Sequence, residues 1–119
     1  MTSTPLLSKP LNGETLFIYL TVFEHAMSVV LVRVDEGKQL PVYYVGKALL
    51  DAESQYNQLE KLALALITAA RKLRPYFQNH LIMVLTSFPL KNILQKPELS
   101  GRLTKWVVEL SEHHIDYQP

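Results

Sequence analysis

Between Leu59 and Leu73 the sequence is almost unbroken leucine, alanine and isoleucine, and that run leaves few folds open to the chain. Leu59, Leu62, Ala63, Leu66, Ala69, Ala70 and Leu73 recur at three- and four-residue intervals, the pattern of one buried helix face. Leu64 and Ile67 add a second apolar strip. Only a narrow band through Lys61, Ala65, Thr68 and Lys72 then remains for water. A helix so enclosed packs between other elements instead of lying on a surface. Leucine, alanine and lysine are strong helix formers, so propensity agrees with pattern. Pro75 disfavours helical geometry at Arg74 and so ends or kinks the segment there.

The segments before this helix read as strands. Residues 1–14 are rich in Pro, Ser, Thr and Gly and form an N-terminal arm, with Leu6, Leu7 and Leu11 as candidates to dock on the body. Residues 15–119 form the domain. Thr15 to Phe23 is β-branched, aromatic and apolar on both alternating faces, as in a central strand covered on both sides. Glu24-His25-Ala26 makes a turn, and Ser28 to Val34 is a second strand. Asp35 to Lys38 is a turn with Gly37 available for positive φ, and Leu40 to Val45 is a third strand. Pro41 cannot donate a ladder hydrogen bond, which assigns this strand to a sheet edge. Short connections make the three an antiparallel meander, and a polar connection from Gly46 to Gln58 leads into the helix.

Leu81 to Thr86 is a fourth apolar strand. It is reached through a long helix, which implies a crossover that returns parallel to the sheet. Pro89 to Leu94 reads as a short helix with Pro in its first turn. Ser100 is a candidate N-cap for a further helix to Leu110, whose Leu103, Trp106, Val107 and Leu110 share one face. His114 to Gln118 is a last short strand. The order βββαβααβ describes an α/β fold, a five-stranded mixed sheet with helices packed on it.

Composition narrows function by exclusion. A chain of 119 residues suits one domain, and an apolar content of 48% excludes disorder. Twelve Lys and Arg against eleven Asp and Glu select no partner by bulk charge, so a nucleic-acid surface would have to be a local patch. Cysteine is absent, which excludes disulfides and thiolate metal sites and suits a reducing compartment. No apolar run approaches the ~20 residues of a membrane helix. The start, Met1-Thr2-Ser3-Thr4-Pro5, lacks the basic and apolar regions of a signal peptide. The expected location is intracellular, cytoplasmic or nuclear, with no membrane partner.

Local sequences sharpen the reading. Pro5 to Pro10, Pro41 to Leu49, Tyr56 to Phe77, Val84-Leu85-Thr86, Pro89-Leu90, Ser100 to Leu103, Lys105-Trp106, Glu109-Leu110-Ser111 and Ile115-Asp116-Tyr117 follow one another across almost the whole chain. In these stretches the chain resembles the RNase H domain that follows reverse transcriptase in gypsy-type long-terminal-repeat retrotransposons, most closely its plant versions. The resemblance implies an RNase H-like fold, and a fold whose final helix would lie beyond Pro119. It also implies an ancestral activity, cleavage of the RNA strand of an RNA–DNA hybrid by two divalent ions. Mg²⁺ and Mn²⁺ take oxygen ligands, so the family uses carboxylates. Carried over residue by residue, the carboxylate positions are Thr21, Leu62 and Ser87, with the fourth beyond Pro119.

None of these side chains supplies the charge. Two divalent ions within ~4 Å of each other need carboxylates between them, so the expectation is no metal site, no cofactor and no hydrolysis. Glu60 is the fallback helix carboxylate. Two residues along a helix is about 200° of rotation, however, so Glu60 and Leu62 point opposite ways. His113-His114 with Glu112 and Asp116 lacks the spacing of a metal site and reads as a solvated helix end. His25 beside Glu24 reads as a turn residue, and Asp51 and Glu53 as solvated. Arg71, Lys72, Arg74, Lys91, Lys96, Arg102 and Lys105 are candidates for phosphate contacts; ordinary solubilising charge is the other reading of the same residues. Trp106 and the Tyr43-Tyr44 pair read as core or interface.

Three functional readings follow. The first is a catalytically silent RNase H-like domain of a retrotransposon Pol polyprotein. It would act as a tether or docking module beside reverse transcriptase or a second RNase H domain, with residual binding of an RNA–DNA hybrid. The second is a divergent active RNase H that uses Mg²⁺ or Mn²⁺, Glu60 and acids from outside the chain. The third is a self-associating or protein-binding module, a homodimer included, because Pro41 and the Tyr pair mark an open strand edge.

Overall fold

The computed structural model describes residues 8–86 and 101–118. The strands form where β-branched and apolar residues alternate: β1 (Leu16–Val22), β2 (Ala26–Asp35) and β3 (Lys38–Ala48). Three helices follow, α1 (Asp51–Ser54), α2 (Gln58–Lys72) and α3 (Arg74–Asn79). The chain then gives β4 (Ile82–Leu85), α4 (Gly101–Leu110) and β5 (Ile115–Gln118). The sheet order is β3-β2-β1-β4-β5. β1 to β3 pair antiparallel, whereas β4 returns parallel to β1 and β5 parallel to β4. This is the expected five-stranded mixed sheet, with the crossover through α2. The expected helix over Pro89–Leu94, the Ser100 cap, Leu6 and Leu7 lie outside the described residues.

Turn chemistry sets the register of the meander. Asp35 pairs with Lys38 across a two-residue loop in which Glu36 and Gly37 both have positive φ, 53° and 81°. Paired positive φ values give a loop the twist of its flanking strands. β3 is an edge strand, as Pro41 requires. Leu31 pairs with Tyr43 but Val32 with Pro41, so Val42 is the extra residue of a bulge.

Several strand boundaries differ from expectation. β3 runs on through Gly46, Lys47 and Ala48, which pair with Ser28, Met27 and Ala26. Partner strand length, not the propensity of Gly and Lys, decides there. Ala26 accordingly belongs to β2, not to the preceding turn. The rest of the connection holds α1, in which Glu53 accepts the Leu50 N–H at 2.9 Å and an ammonium hydrogen bond from Lys47 at 3.3 Å.

α2 packs on β1 and β2, with α4 against its outer side. Leu62, Leu66, Ala69 and Leu73 join Leu16, Ile18, Val29, Leu31, Ile82 and Val84 in one core. Burial of each such aliphatic side chain contributes roughly 1.5–3 kcal/mol. The water-facing band expected on α2 is narrower than its sequence suggested, because Lys61 and Ala65 are buried and only Thr68 and Lys72 of that row reach solvent. The ammonium of Lys61 bends back to the carbonyls of Glu24 at 3.1 Å and Phe23 at 3.5 Å, beyond the end of β1. The long helix ends at Lys72, as Pro75 implies, and a new helix follows at once. Leu73 leaves helical geometry, and Pro75 sits in the first turn of α3, where its missing N–H costs nothing.

The described part of the N-terminal arm is latched by Glu14. Its Oε1 accepts from Arg33 Nε at 2.9 Å and from the Leu11 N–H at 2.9 Å, and Arg33 Nη1 reaches Ser8 Oγ at 3.4 Å. His80 Nδ1 donates to the Glu14 carbonyl at 2.7 Å. Leu11 itself is 62% exposed, so the arm is held by polar contacts and not by the leucine expected to dock. No helix among the described residues is long and apolar enough to cross a membrane.

Candidate functional site

Lys61 ties the start of α2 to the residues just past β1, and β4 ends beside β1 in the sheet. β1 alternates: Leu16 and Ile18 are buried, Leu20 and Val22 pack on the core, and Thr21 between them is exposed. Thr21 therefore belongs to the sheet face opposite α2. Leu62 is inside the core at 4% exposure. Ser87 lies outside the described residues, as do Lys91 and Lys96.

Glu60 is engaged on both oxygens. Asn57 Oδ1 accepts the Glu60 N–H at 2.8 Å and Glu60 Oε1 accepts the Asn57 N–H at 3.2 Å, a capping box at the start of α2. Glu60 Oε2 accepts from Arg102 Nη1 of α4 at 2.8 Å. The guanidinium of Arg102 also stands 4.3 Å from the centre of the Tyr56 ring, which meets Trp106 at 6.2 Å. Glu60 thus faces α4, away from Leu62. Among the described residues no three His, Asp or Glu are grouped to hold a metal ion. The donor set of Thr21, Leu62 and Glu60 does not fit a pair of divalent ions.

The cationic candidates divide into two groups. Arg71 makes a bidentate pair with Glu109 of α4, Nε at 2.9 Å and Nη2 at 2.8 Å, and that guanidinium holds the Glu109 carboxyl below its usual range. Glu60 and Arg71 are eleven residues apart, about 20° from eclipsed around the helix, so one strip of α2 carries both pairs to α4. Arg102 and Arg71 are therefore both paired at the helix seam. Lys72, Arg74 and Lys105 are exposed and make no ion pair among the described residues.

Residues 12–113 match the family described as the RNase H-like domain found in reverse transcriptase. The chain belongs to that family. This RNase H-like domain is 26% identical to the retrovirus-related Pol polyprotein from transposon opus of Drosophila melanogaster, over 98% of the chain and 12% of the polyprotein. It is 28% identical to the Pol polyprotein from transposon 297 of the same organism, over 95% of the chain and 11% of the polyprotein. The chain thus spans a small part of the polyproteins it matches. Foamy viral protease-reverse transcriptase in complex with double-stranded DNA superposes with a TM-score of 0.75 at 21% identity, over 94% of this chain and 20% of that one. The native prototype foamy virus protease-reverse transcriptase gives 0.74 at 22%, over 98% and 16%. Those two likenesses are of fold.

Sequence reasoning missed the α2–α4 pairs, the Lys61 tie and the Glu14 latch of the RNase H-like domain. The capping box was missed as well, although the spacing of Asn57 and Glu60, N-cap and N3, was the signal that could have shown it. The pairs Glu60–Arg102 and Arg71–Glu109 bridge 42 and 38 residues, and no local pattern marks them.

Proposed function

We propose that the chain is a catalytically silent RNase H-like domain of a gypsy-type retrotransposon Pol polyprotein, an intracellular structural or docking module beside reverse transcriptase or a second RNase H domain. The observation that carries this reading is the burial of Leu62. A leucine stands in the core at the helix position where the resemblance places a metal-binding carboxylate. An ionised group there would be desolvated among apolar side chains. Glu60 offers no replacement, because its carboxylate caps α2 and pairs with Arg102. Catalysis by two ions needs several carboxylate oxygens on one side of the sheet end, and this reading requires no metal or other cofactor.

Docking has a surface available. On the sheet side opposite α2, Phe17 and Tyr19 of β1, Val30 of β2 and Met83 and Leu85 of β4 are neighbours in register, and none is buried. Lys72, Arg74 and Lys105 support residual contact with nucleic-acid phosphates. A protein of similar fold, foamy viral protease-reverse transcriptase, has been solved in complex with an RNA/DNA hybrid.

Titration of the folded chain with Mg²⁺ and then Mn²⁺, followed by the amide NMR signals of Thr21, Leu62 and Thr86, tests the absence of a metal centre. The expected result is no saturable shift at these positions. Saturable shifts at the ends of β1 and β4 would overturn the reading in favour of a divergent active enzyme.

A further inference from the structure

At the end of the sheet where β4 begins, α3 and the turn between α4 and β5 border a cleft of about 390 Å³. Its lining includes Arg74, Gln78, His80, Glu112, His113 and His114, and so three of the four histidines in the chain. The cleft lies past the C-terminal end of α2, remote from Leu62 and Thr21. Its function is independent of whether the domain cleaves RNA.

Two of the three imidazoles, His80 and His113, are held in place by the fold. His80 Nδ1 donates to the Glu14 carbonyl at 2.7 Å, which in the neutral ring leaves Nε2 as the acceptor nitrogen. The His113 ring meets the buried Phe77 ring edge-on at 5.7 Å, and the His113 N–H closes the end of α4 on the Leu110 carbonyl at 3.0 Å. The His114 carbonyl accepts the Ile82 N–H at 2.9 Å, fixing the turn to the first residue of β4. No group of His, Asp and Glu among the described residues is placed to hold a metal ion.

The nearby acids are mostly committed elsewhere. Glu14 is paired with Arg33 and Glu109 with Arg71, which leaves Arg74 and Glu112 as the oppositely charged lining residues. With neutral imidazoles these two charges cancel. Each imidazole that takes up a proton adds one positive charge and one further N–H donor. Arg74 supplies a planar fork of donors suited to oxyanions, and Gln78 adds a neutral amide.

We propose that this cleft is a binding site for a phosphate-class oxyanion, and that it binds more tightly as its imidazoles take up protons. The test is titration of the full chain with sulfate, which stays dianionic throughout, at about pH 6 and about pH 8 and at matched ionic strength, with imidazole and amide NMR as readout. Saturable shifts of His80, His113 and His114 are expected, about tenfold tighter at the lower pH, a difference of about 1.4 kcal/mol. Arg74→Gln and His114→Gln alter exposed side chains, and each should abolish the shifts with the melting temperature unchanged. A nucleoside 5′-monophosphate and a dinucleoside monophosphate, added in parallel, separate a terminal phosphate from a backbone phosphodiester as the source. Absence of saturable shifts at the lower pH, or shifts that survive Arg74→Gln, would overturn the proposal.

Discussion

Leu62 and Glu60 show how two residues of one helix turn take opposite fates. Leu62→Glu places a carboxyl with no partner in the core, and should cost at least about 2 kcal/mol, the lower bound for an unsatisfied buried polar group. Leu62→Met keeps volume and polarity, and should cost less than about 1.5 kcal/mol. Thermal melts of the two variants check both values, and an unchanged melting temperature for Leu62→Glu would place residue 62 outside the core. Glu14 makes a pH-dependent contribution. Its carboxyl is held below its ordinary value of 4.5, first by the Arg33 hydrogen bond and then by the Leu11 N–H. The folded state therefore favours the ionised form. The stabilisation is present above pH 4.5 and is lost as pH falls through the lowered folded value. Glu14→Gln should melt lower than the parent at neutral pH, and the two curves should converge in acid. Tyr117 gives the alkaline counterpart. Burial, with Asp116 adding to it, pushes its phenol up to about 12. Stability from this group is present below its ordinary value of 10 and is lost as pH rises through about 12. Ultraviolet titration should accordingly show one of the six tyrosines ionising late.

At the scale of the element, α2 is fixed at its start by a cap, along its length by the core, and at its flank by two ion pairs. Asn57→Ala removes the cap and should cost about 1 kcal/mol, within the usual range of roughly 0.5–2. Arg71 and Glu109 are partly solvated, so a double-mutant cycle between them should give a coupling of at most about 1 kcal/mol that shrinks with added salt. Denaturant melts of the alanine variants measure both effects. The elements themselves were legible where one pattern dominated. α2 announced itself through leucine and alanine periodicity, the β2–β3 turn through Gly37, and the edge position of β3 through Pro41. The parts that were not legible depend on partners distant in sequence. Gly46 to Ala48 are strand because β2 is long enough to pair them. Lys61 reads as a solvent-facing lysine until the Phe23 and Glu24 carbonyls are brought to it. Pro75 reads as an end or a kink, and the observed geometry of Leu73 adds that a new helix begins directly after the break.

For the whole molecule, family membership and fold were both legible, since the ordered succession of local stretches and the strand order point to one architecture. The candidate site was legible in a different sense. The positions Thr21 and Leu62 followed from the resemblance, whereas the engagement of Glu60 and Arg102 in one ion pair required the structure. The same seam that joins α4 to α2 pairs Arg71 and Arg102 with carboxylates, whereas Lys72, Arg74 and Lys105 have no ion pair among the described residues. Replacement of these three by alanine together should weaken binding to a hybrid and flatten its salt dependence, since each lost phosphate contact lowers the slope. The decisive measurement is incubation of the chain with a labelled RNA–DNA hybrid in Mg²⁺ and in Mn²⁺, read for cleavage on denaturing gels and for binding by mobility shift. Intact RNA is expected in both metals, with any binding weakening as salt rises. RNA cleavage above that of a preparation lacking the protein would contradict it and return Glu60 and its neighbours to catalytic roles.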